Sequence, residues 1–443
     1  MEFIGKLCLC ALGISLIACN DGKEPEPVTS EITPIFTVTK LDACVGETVL
    51  PCLVFRDKTG KESKYRGGES GWKWSVTDNE VARMNLSGEI EALSQGTTTV
   101  TVSNSSATKK AVMTLRVLRA GALEDGLSKE MIYTTGKQLK YNAVMQSFDI
   151  AGEDLYCAQL GSGTSNHLIV VNRLSADGGV QDFMTLKYFG HASTIVVDRE
   201  EDGTDRIWIG SHGTRTSTTD FSYRLSQTVG RFAYRPGVNL TTATCLDHLW
   251  IPQRRNIHPA LDRENGIAAF WSQDKNGNGY INTYRLSDIE KIPPVEKTLS
   301  FKNTTGAGNT SEPEVTDYPT AVVRDLSTIT PLSTFQIKQK SDMQGFEVAG
   351  GRIYYYEGKG NNNDGKAAST AWVSVYSLDG RLVEQTAVNA VSDIAALNAQ
   401  GLTDTGYMEP ESLKMKDGAL YLGFAARGSD NVRRVAILKY RLR

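Results

Sequence analysis

Met145-Gln146-Ser147-Phe148-Asp149-Ile150-Ala151-Gly152, followed by Leu155-Tyr156-Cys157-Ala158-Gln159, has a close copy 198 residues later. The copy is Met343-Gln344-Gly345-Phe346-Glu347-Val348-Ala349-Gly350, followed by Arg352-Ile353-Tyr354-Tyr355-Tyr356-Glu357. Both read as a polar-tipped strand, a tight turn and a second, more apolar strand. Looser versions lie between and after them. Ser193-Thr194-Ile195-Val196-Val197-Asp198 leads through an acidic-Gly turn to Arg206-Ile207-Trp208-Ile209-Gly210, and Glu411-Ser412-Leu413-Lys414-Met415 leads through Asp417-Gly418 to Leu420-Tyr421-Leu422-Gly423-Phe424. Two near-copies of one β-unit with degenerate relatives predict radial repetition rather than two unrelated domains.

The 443-residue chain is long enough for more than one domain, and its 41 glycines, with abundant Thr, Ser, Val and Tyr, indicate an all-β, turn-rich protein. A net charge of −3 offers no field for nucleic acid or for an anionic membrane surface. Cys8, Cys10 and Cys19 fall in the N-terminal leader, and Cys44, Cys52, Cys157 and Cys245 in the folded part. Cys44 and Cys52 are close enough for a hairpin-spanning disulfide, and equally suit two buried thiols.

Residues 1–18 carry one early cation, Lys6, and then an apolar run. The run is shorter than the roughly 20 residues that span a bilayer, so it reads as a signal peptide. It ends in Leu16-Ile17-Ala18-Cys19, which resembles the lipobox of bacterial lipoproteins. The resemblance implies cleavage before Cys19 and diacylation of its thiol, which with a further chain on the new amine gives stable anchoring. Residues 19–31 are polar and Pro-containing, the composition of an extended tether. Acidic residues after the cysteine resemble the signal for the outer face of the outer membrane; periplasmic display is the alternative.

Residues 32–118 contain short β-like runs, among them Phe36-Thr37-Val38-Thr39, Trp72-Lys73-Trp74-Ser75-Val76 and Thr97-Thr98-Thr99-Val100-Thr101-Val102. Turns about every 8 to 12 residues predict a β-sandwich. Val45-Gly46-Glu47-Thr48, Trp74-Ser75-Val76, Asp78-Asn79-Glu80-Val81-Ala82, Gly88-Glu89-Ile90-Glu91-Ala92 and Gly96-Thr97-Thr98-Thr99-Val100 come in the order of the group 2 bacterial Ig-like domain, which this segment resembles. That resemblance implies a spacer or adhesive module, with Trp74 in its core. Residues 119–140 read as a connector containing a short helical turn near Leu123.

Residues 141–443 are expected to form a β-propeller of five blades, starting near 145, 191, 262, 343 and 409. The polar stretch 292–325 is expected to be a blade insertion. Gln146-Ser147-Phe148, Leu155-Tyr156-Cys157-Ala158-Gln159, Phe189-Gly190-His191, Arg206-Ile207-Trp208-Ile209-Gly210 and Glu409-Pro410-Glu411-Ser412-Leu413 resemble the five-bladed propeller of phage receptor-binding proteins, teichoic acid biosynthesis protein C and helveticin J-like bacteriocins. That family carries Gly-His-Gly where this chain has Gly190-His191-Ala192, and Glu-Gly where it has Glu411-Ser412. The family's site chemistry is therefore not carried over.

Innermost strands of a propeller begin at one mouth of the central channel, so polar residues there converge. This predicts an axial ligand-binding site of Gln146, His191, Gln344, Glu409 and Glu411, with Gln159 and His212 nearby. Amides, imidazoles and carboxyls suit sugar hydroxyls; the same groups equally suit inter-blade backbone bonds and water. Trp208, Trp271, Tyr354 and Tyr356 read as core, with a ligand contact as the alternative. Asp274-x-Asn276-x-Asn278-Gly279 resembles half an EF-hand loop, but the twelfth position is Arg285, so an Asn-Gly turn is favoured over a calcium site. No cofactor is expected, and no nucleophile elbow, zinc motif or nucleotide fingerprint is present.

The expectation is a lipid-anchored outer-membrane protein whose propeller binds a polysaccharide or cell-surface glycan. The alternatives are a carbohydrate-active enzyme using Glu409, Glu411 and His191, and an adhesin or bacteriocin-like effector. Cys19→Ser is expected to abolish palmitate labelling and to move the chain from the membrane to the soluble fraction; labelling that survives the change would remove the anchor.

Overall fold

The computed structural model describes residues 31–442 apart from 122, 124–129, 135–138, 162–167, 176–177, 215–223, 303–317, 361–368, 389–393, 400 and 402. The signal peptide, Cys19 and nearly all of the tether lie outside the described residues, as does most of the connector turn near Leu123.

Five sheets follow the sandwich, each built on four antiparallel strands, and those of blades 1 and 2 are extended by further edge strands that join them in parallel. Their innermost strands are Met145–Ala151, Ile195–Arg199, Arg255–Asp262, Met343–Ala349 and Tyr407–Lys416. Each lies against the next and the fifth lies against the first, which closes a five-bladed ring. A positive-φ glycine stands in the turn after each of them: Gly152, Gly203, Gly266, Gly350 and Gly418. The second strands read as continuous apolar runs because both of their faces are covered. Along Arg352–Lys359, Tyr354 and Tyr356 pack into a cluster with Met408 and Leu413 of blade 5. Tyr355, pointing the other way, packs with Trp271 and Ala260 of blade 3. A period of two thus divides one strand between two neighbours. Trp208, Trp271, Tyr354 and Tyr356 are all buried in these layers, which removes them as ligand contacts.

Three elements differ from expectation. Blade 3 begins at Arg255 rather than near 262, so Ile267–Gln273 and Gly279–Arg285 are its second and third strands. Within the 119–140 connector, Glu130–Thr134 is a strand, and it pairs with Arg433–Arg441 as the outermost strand of blade 5. The 292–325 insertion contributes Val295–Thr298 and Thr320–Asp325, which extend the outer edge of blade 2.

Residues 33–118 form three small sheets, the largest pairing Lys40–Cys44, Lys110–Leu118, Gly96–Asn104 and Trp72–Val76. The expected strand at 36–39 is split: one strand ends at Phe36, the Thr37 N–H donates to the Cys52 carbonyl at 2.7 Å, and the next strand starts at Lys40 in another sheet. Trp74 packs on Phe36 and Tyr65, with ring centroids at 6.2 and 5.3 Å, as a core residue. Cys44 and Cys52 are free thiols, and burial pushes each up to about 11.

The sandwich is seated on blades 3 and 4, at the propeller end carrying their first turns. The Asp42 N–H donates to the Gly350 carbonyl at 2.8 Å, and a Cβ on Gly350 would meet Asp42 Oδ2 at 2.6 Å. Arg352 donates from Nε to the Asp42 carbonyl at 2.6 Å and from Nη2 to Glu47 at 2.8 Å. Both side chains of that ion pair are almost wholly buried. Arg352→Ala removes the buried partner of Glu47, leaving it the more exposed Arg381 and the Cys44 N–H, and is expected to cost about 3 kcal/mol, measured as a lower unfolding midpoint in urea; an unchanged midpoint would show that this ion pair contributes nothing to the seat.

Candidate functional site

The upper mouth is the end at which the innermost strands begin, opposite the sandwich. There the ladder of four blades slips by a bulge: at Gln146, at Asn256-Ile257, at Gln344 and at Glu411-Ser412. A bulge re-aims a side chain and ends regular pairing. Gln146 and Glu411 meet, Nε2 to Oε1 at 3.4 Å, both 3% exposed. Burial and the nearby Glu409 charge, against Arg433, push Glu411 well above the usual carboxyl range. Gln146 and Glu411 together form a buried floor. Gln344, His191 and Glu409 are half-buried. Gln344 Nε2 donates to the Gly358 carbonyl at 3.0 Å, and Glu409 accepts from the Tyr407 hydroxyl. His191 lies near His258 of blade 3, and burial together with His191 holds His258 down to about 3. His258 Nε2 is 2.9 Å from Asn256 Oδ1.

Gln159 and His212 have other partners. Gln159 ties residues 139–144 to blade 1: its Nε2 donates to the carbonyls of Tyr141 and Ala143 at 3.0 and 3.3 Å, and its Oε1 accepts from the Tyr141 N–H at 3.0 Å. His212 Nδ1 lies 2.8 Å from Thr228 Oγ1, and its ring meets His248 edge-on at 4.5 Å. Burial and then His248 hold His212 down to about 3, so it is a neutral packing group within blade 2. Asn256 and His258 join this mouth because the innermost strand of blade 3 begins at Arg255, upstream of the start expected near 262. Asp274 spends its carboxylate on its own turn, accepting from the N–H groups of Asn276 and Asn278 at 2.8 and 2.9 Å and from Asn278 Nδ2 at 2.9 Å. Among the described residues no group of three or more His, Cys, Asp or Glu side chains is placed to hold a metal.

Ala192 and Ser412 have φ of 64° and 74°, in the left-handed region that favours glycine. Ser412 Oγ is also buried without a hydrogen-bond partner. Both residues hold strained backbone beside the axial groups.

At the lower mouth a cavity of about 710 Å³ lies between propeller and sandwich. Much of its charged lining is paired: Arg116 Nε meets Asp42 at 2.9 Å, and Arg263 meets Asp198. Deeper, the buried ammonium of Lys414 (blade 5) lies 2.9 Å from Glu347 (blade 4) and 3.5 Å from Asp149 (blade 1). Burial opposes the Lys414 charge, but Asp149 and Glu347 outweigh it and hold its pKa above the ordinary value. One cation between two acids cannot neutralise both. Burial, against Lys414 and with Asp149, pushes Glu347 up to about 7.

No family model matches the chain, and no curated protein matches it. Among solved structures it is similar to the tail fiber of Staphylococcus aureus phage P68, at 16% identity and TM-score 0.45, over 71% of this chain and 53% of that one. The chain thus spans about half the length of that fiber. It is also similar to a Trichoderma reesei carbohydrate-active enzyme of family AA12 (12% identity, TM-score 0.34, 71% and 96% covered). A third is the polysaccharide lyase Uly1 (9% identity, TM-score 0.28, 68% and 90% covered). With every one of these TM-scores below 0.5, the propeller assignment rests on the strand pairing itself.

Two outcomes are expected. Ser412→Gly releases the left-handed strain and stabilises the chain by about 1–2 kcal/mol, read as a higher melting temperature; a lower one would mean the serine is held there by a contact. Glu347 binds its proton more tightly folded than unfolded, so its contribution is full below about pH 4.5 and is lost as pH rises through about 7. Glu347→Gln should therefore flatten the stability profile between those pH values, and an unchanged slope would reassign it to other groups.

Proposed function

We propose that this chain is a lipid-anchored cell-surface protein whose propeller binds a polysaccharide or cell-surface glycan at the upper mouth. The observation that carries the reading is the bulged upper end of the innermost strands. It sets a buried floor of Gln146 and Glu411 beneath half-buried Gln344, His191 and Glu409, while the sandwich occupies the other end. Amides and an imidazole offer both donors and acceptors, which is what vicinal hydroxyls require. The ligand is held at the rim, by Gln344, His191 and Glu409, because the floor pair has almost no exposed surface. The near-zero net charge gives no support to nucleic acid as a partner.

A carbohydrate-active enzyme is the second reading. It draws on one specific observation, a buried Glu411 carboxyl pushed well above its ordinary range close to a second carboxyl, Glu409. A general acid needs that protonation state, and it also needs reach to the substrate, which burial denies Glu411.

A glycan array probed with the whole chain is expected to give defined hits, weakened roughly tenfold or more by Gln344→Ala and by His191→Ala at unchanged melting temperature. Silence across a broad array would sink the binding reading. Release of reducing or unsaturated ends from a hit, lost in Glu411→Gln, would replace it with the enzyme.

A further inference from the structure

The arginines of the propeller's two faces differ in how many are paired, although Arg434 on the upper face is paired with Asp430. On the lower face Arg116 is paired with Asp42, Arg199 with Asp154 and Asp205, Arg263 with Asp198, and Arg352 with Glu47. On the upper face four half-buried arginines have no carboxylate partner among the described residues. Arg254 and Arg255 lie at the start of blade 3's innermost strand, Arg427 at the end of blade 5's second strand, and Arg433 at the start of its third.

Each of the four is instead laid over an aromatic ring. Arg254 lies 3.9 Å from the Tyr280 centroid, Arg255 lies 5.3 Å from that of Phe301, and Arg427 and Arg433 lie 5.3 and 4.9 Å from that of Tyr407. Stacking holds the guanidinium plane in place and leaves its N–H edge for a ligand. Arg254 Nη1, Arg255 Nε and Arg433 Nη1 are buried and have no acceptor. A charged donor buried without an acceptor is costly, and a ligand oxygen removes that cost. Arg433 acts electrostatically on Glu411, and Arg255 opens the strand bearing Asn256, so both belong to the axial mouth.

We infer that the glycan received at the upper mouth is acidic, its carboxylate or sulfate groups bound by Arg255 and Arg433. The inference rests on the glycan-binding reading above and adds the ligand's charge to it. Blade 4 separates the two arginine sets, so a polymer with repeated anionic groups engages both where a single small anion engages one. The chain's net charge of −3 makes this attraction local to the mouth rather than a property of the whole surface.

Affinity electrophoresis and calorimetry of the whole chain with polygalacturonate, dextran sulfate and neutral dextran test it. Binding to one or both acidic polymers is expected, weakening as salt rises, and the carboxylate and sulfate arms tell which anion is preferred. Arg433→Gln and Arg255→Gln should each reduce affinity roughly 10- to 100-fold, with Arg433→Lys intermediate because it keeps charge but loses the planar fork. Arg66→Gln, on the exposed sandwich surface, should leave binding unchanged. Equal binding of neutral and acidic polymers would overturn the acidic assignment and leave the glycan reading standing. Acidic binding that survives both arginine changes would remove these residues from the site. A broad glycan array with no hit of any charge would take away both readings.

Discussion

The ammonium of Lys414 is the constraint on which the ring depends. It is buried where three innermost strands meet, and a charge so placed is tolerable only with acceptors from both neighbours. Glu347 comes from the blade before it in sequence and Asp149 from the first blade, so the contact exists only when the last blade has returned to the first. Asp149 also accepts the Val197 N–H at 2.6 Å, which fastens blade 2 to the same point. Apolar packing between blades would tolerate small slips of one sheet against another. This group of charges resists such slips, because a shift that breaks either contact takes a partner from a buried ammonium.

That arrangement explains how much of the fold was readable from the chain. The repeat containing Phe148 and Phe346 gave two innermost strands directly, because both rings fill the same inter-blade position and are fully buried. Blade 3 was harder. Its innermost strand contains Pro259, a residue that normally argues against a central strand, and its turn to the second strand is longer. The closing strand Glu130–Thr134 was hidden by distance, since its partner lies some 300 residues away and nothing local marks the pairing. Lys414 was hidden by its sign. At the repeat position held by Asp149 and Glu347 it looks like a mismatch, and complementarity appears only when the three are brought together.

The axial groups follow the same division. Gln146, Gln344 and Glu411 could be placed at one mouth by repeat register, and the bulges supply the reason they point there. Register said nothing of depth, which separates a sealed floor from a reachable rim. Nor could it say that Gln159 and His212, one strand further out, bind the connector and a neighbouring histidine. Ala192 and Ser412 belong here too: a left-handed backbone without glycine is invisible as a letter and plain as a dihedral angle.

The seat of the sandwich has a mechanical meaning. Two routes join it to the propeller: the covalent chain, which runs on into the strand closing the ring, and the side-chain and backbone bonds to blades 3 and 4, those of Thr39 and Lys40 to Asn265 and those of Asp42 and Glu47 to Arg352 among them. Tension on the peptide route alone would peel Glu130–Thr134 from its edge one hydrogen bond at a time, the weakest geometry for a sheet. With the sandwich bolted to blade 4, a pull on its far end loads Arg352 and its neighbours together, in shear, and the closing strand stays slack.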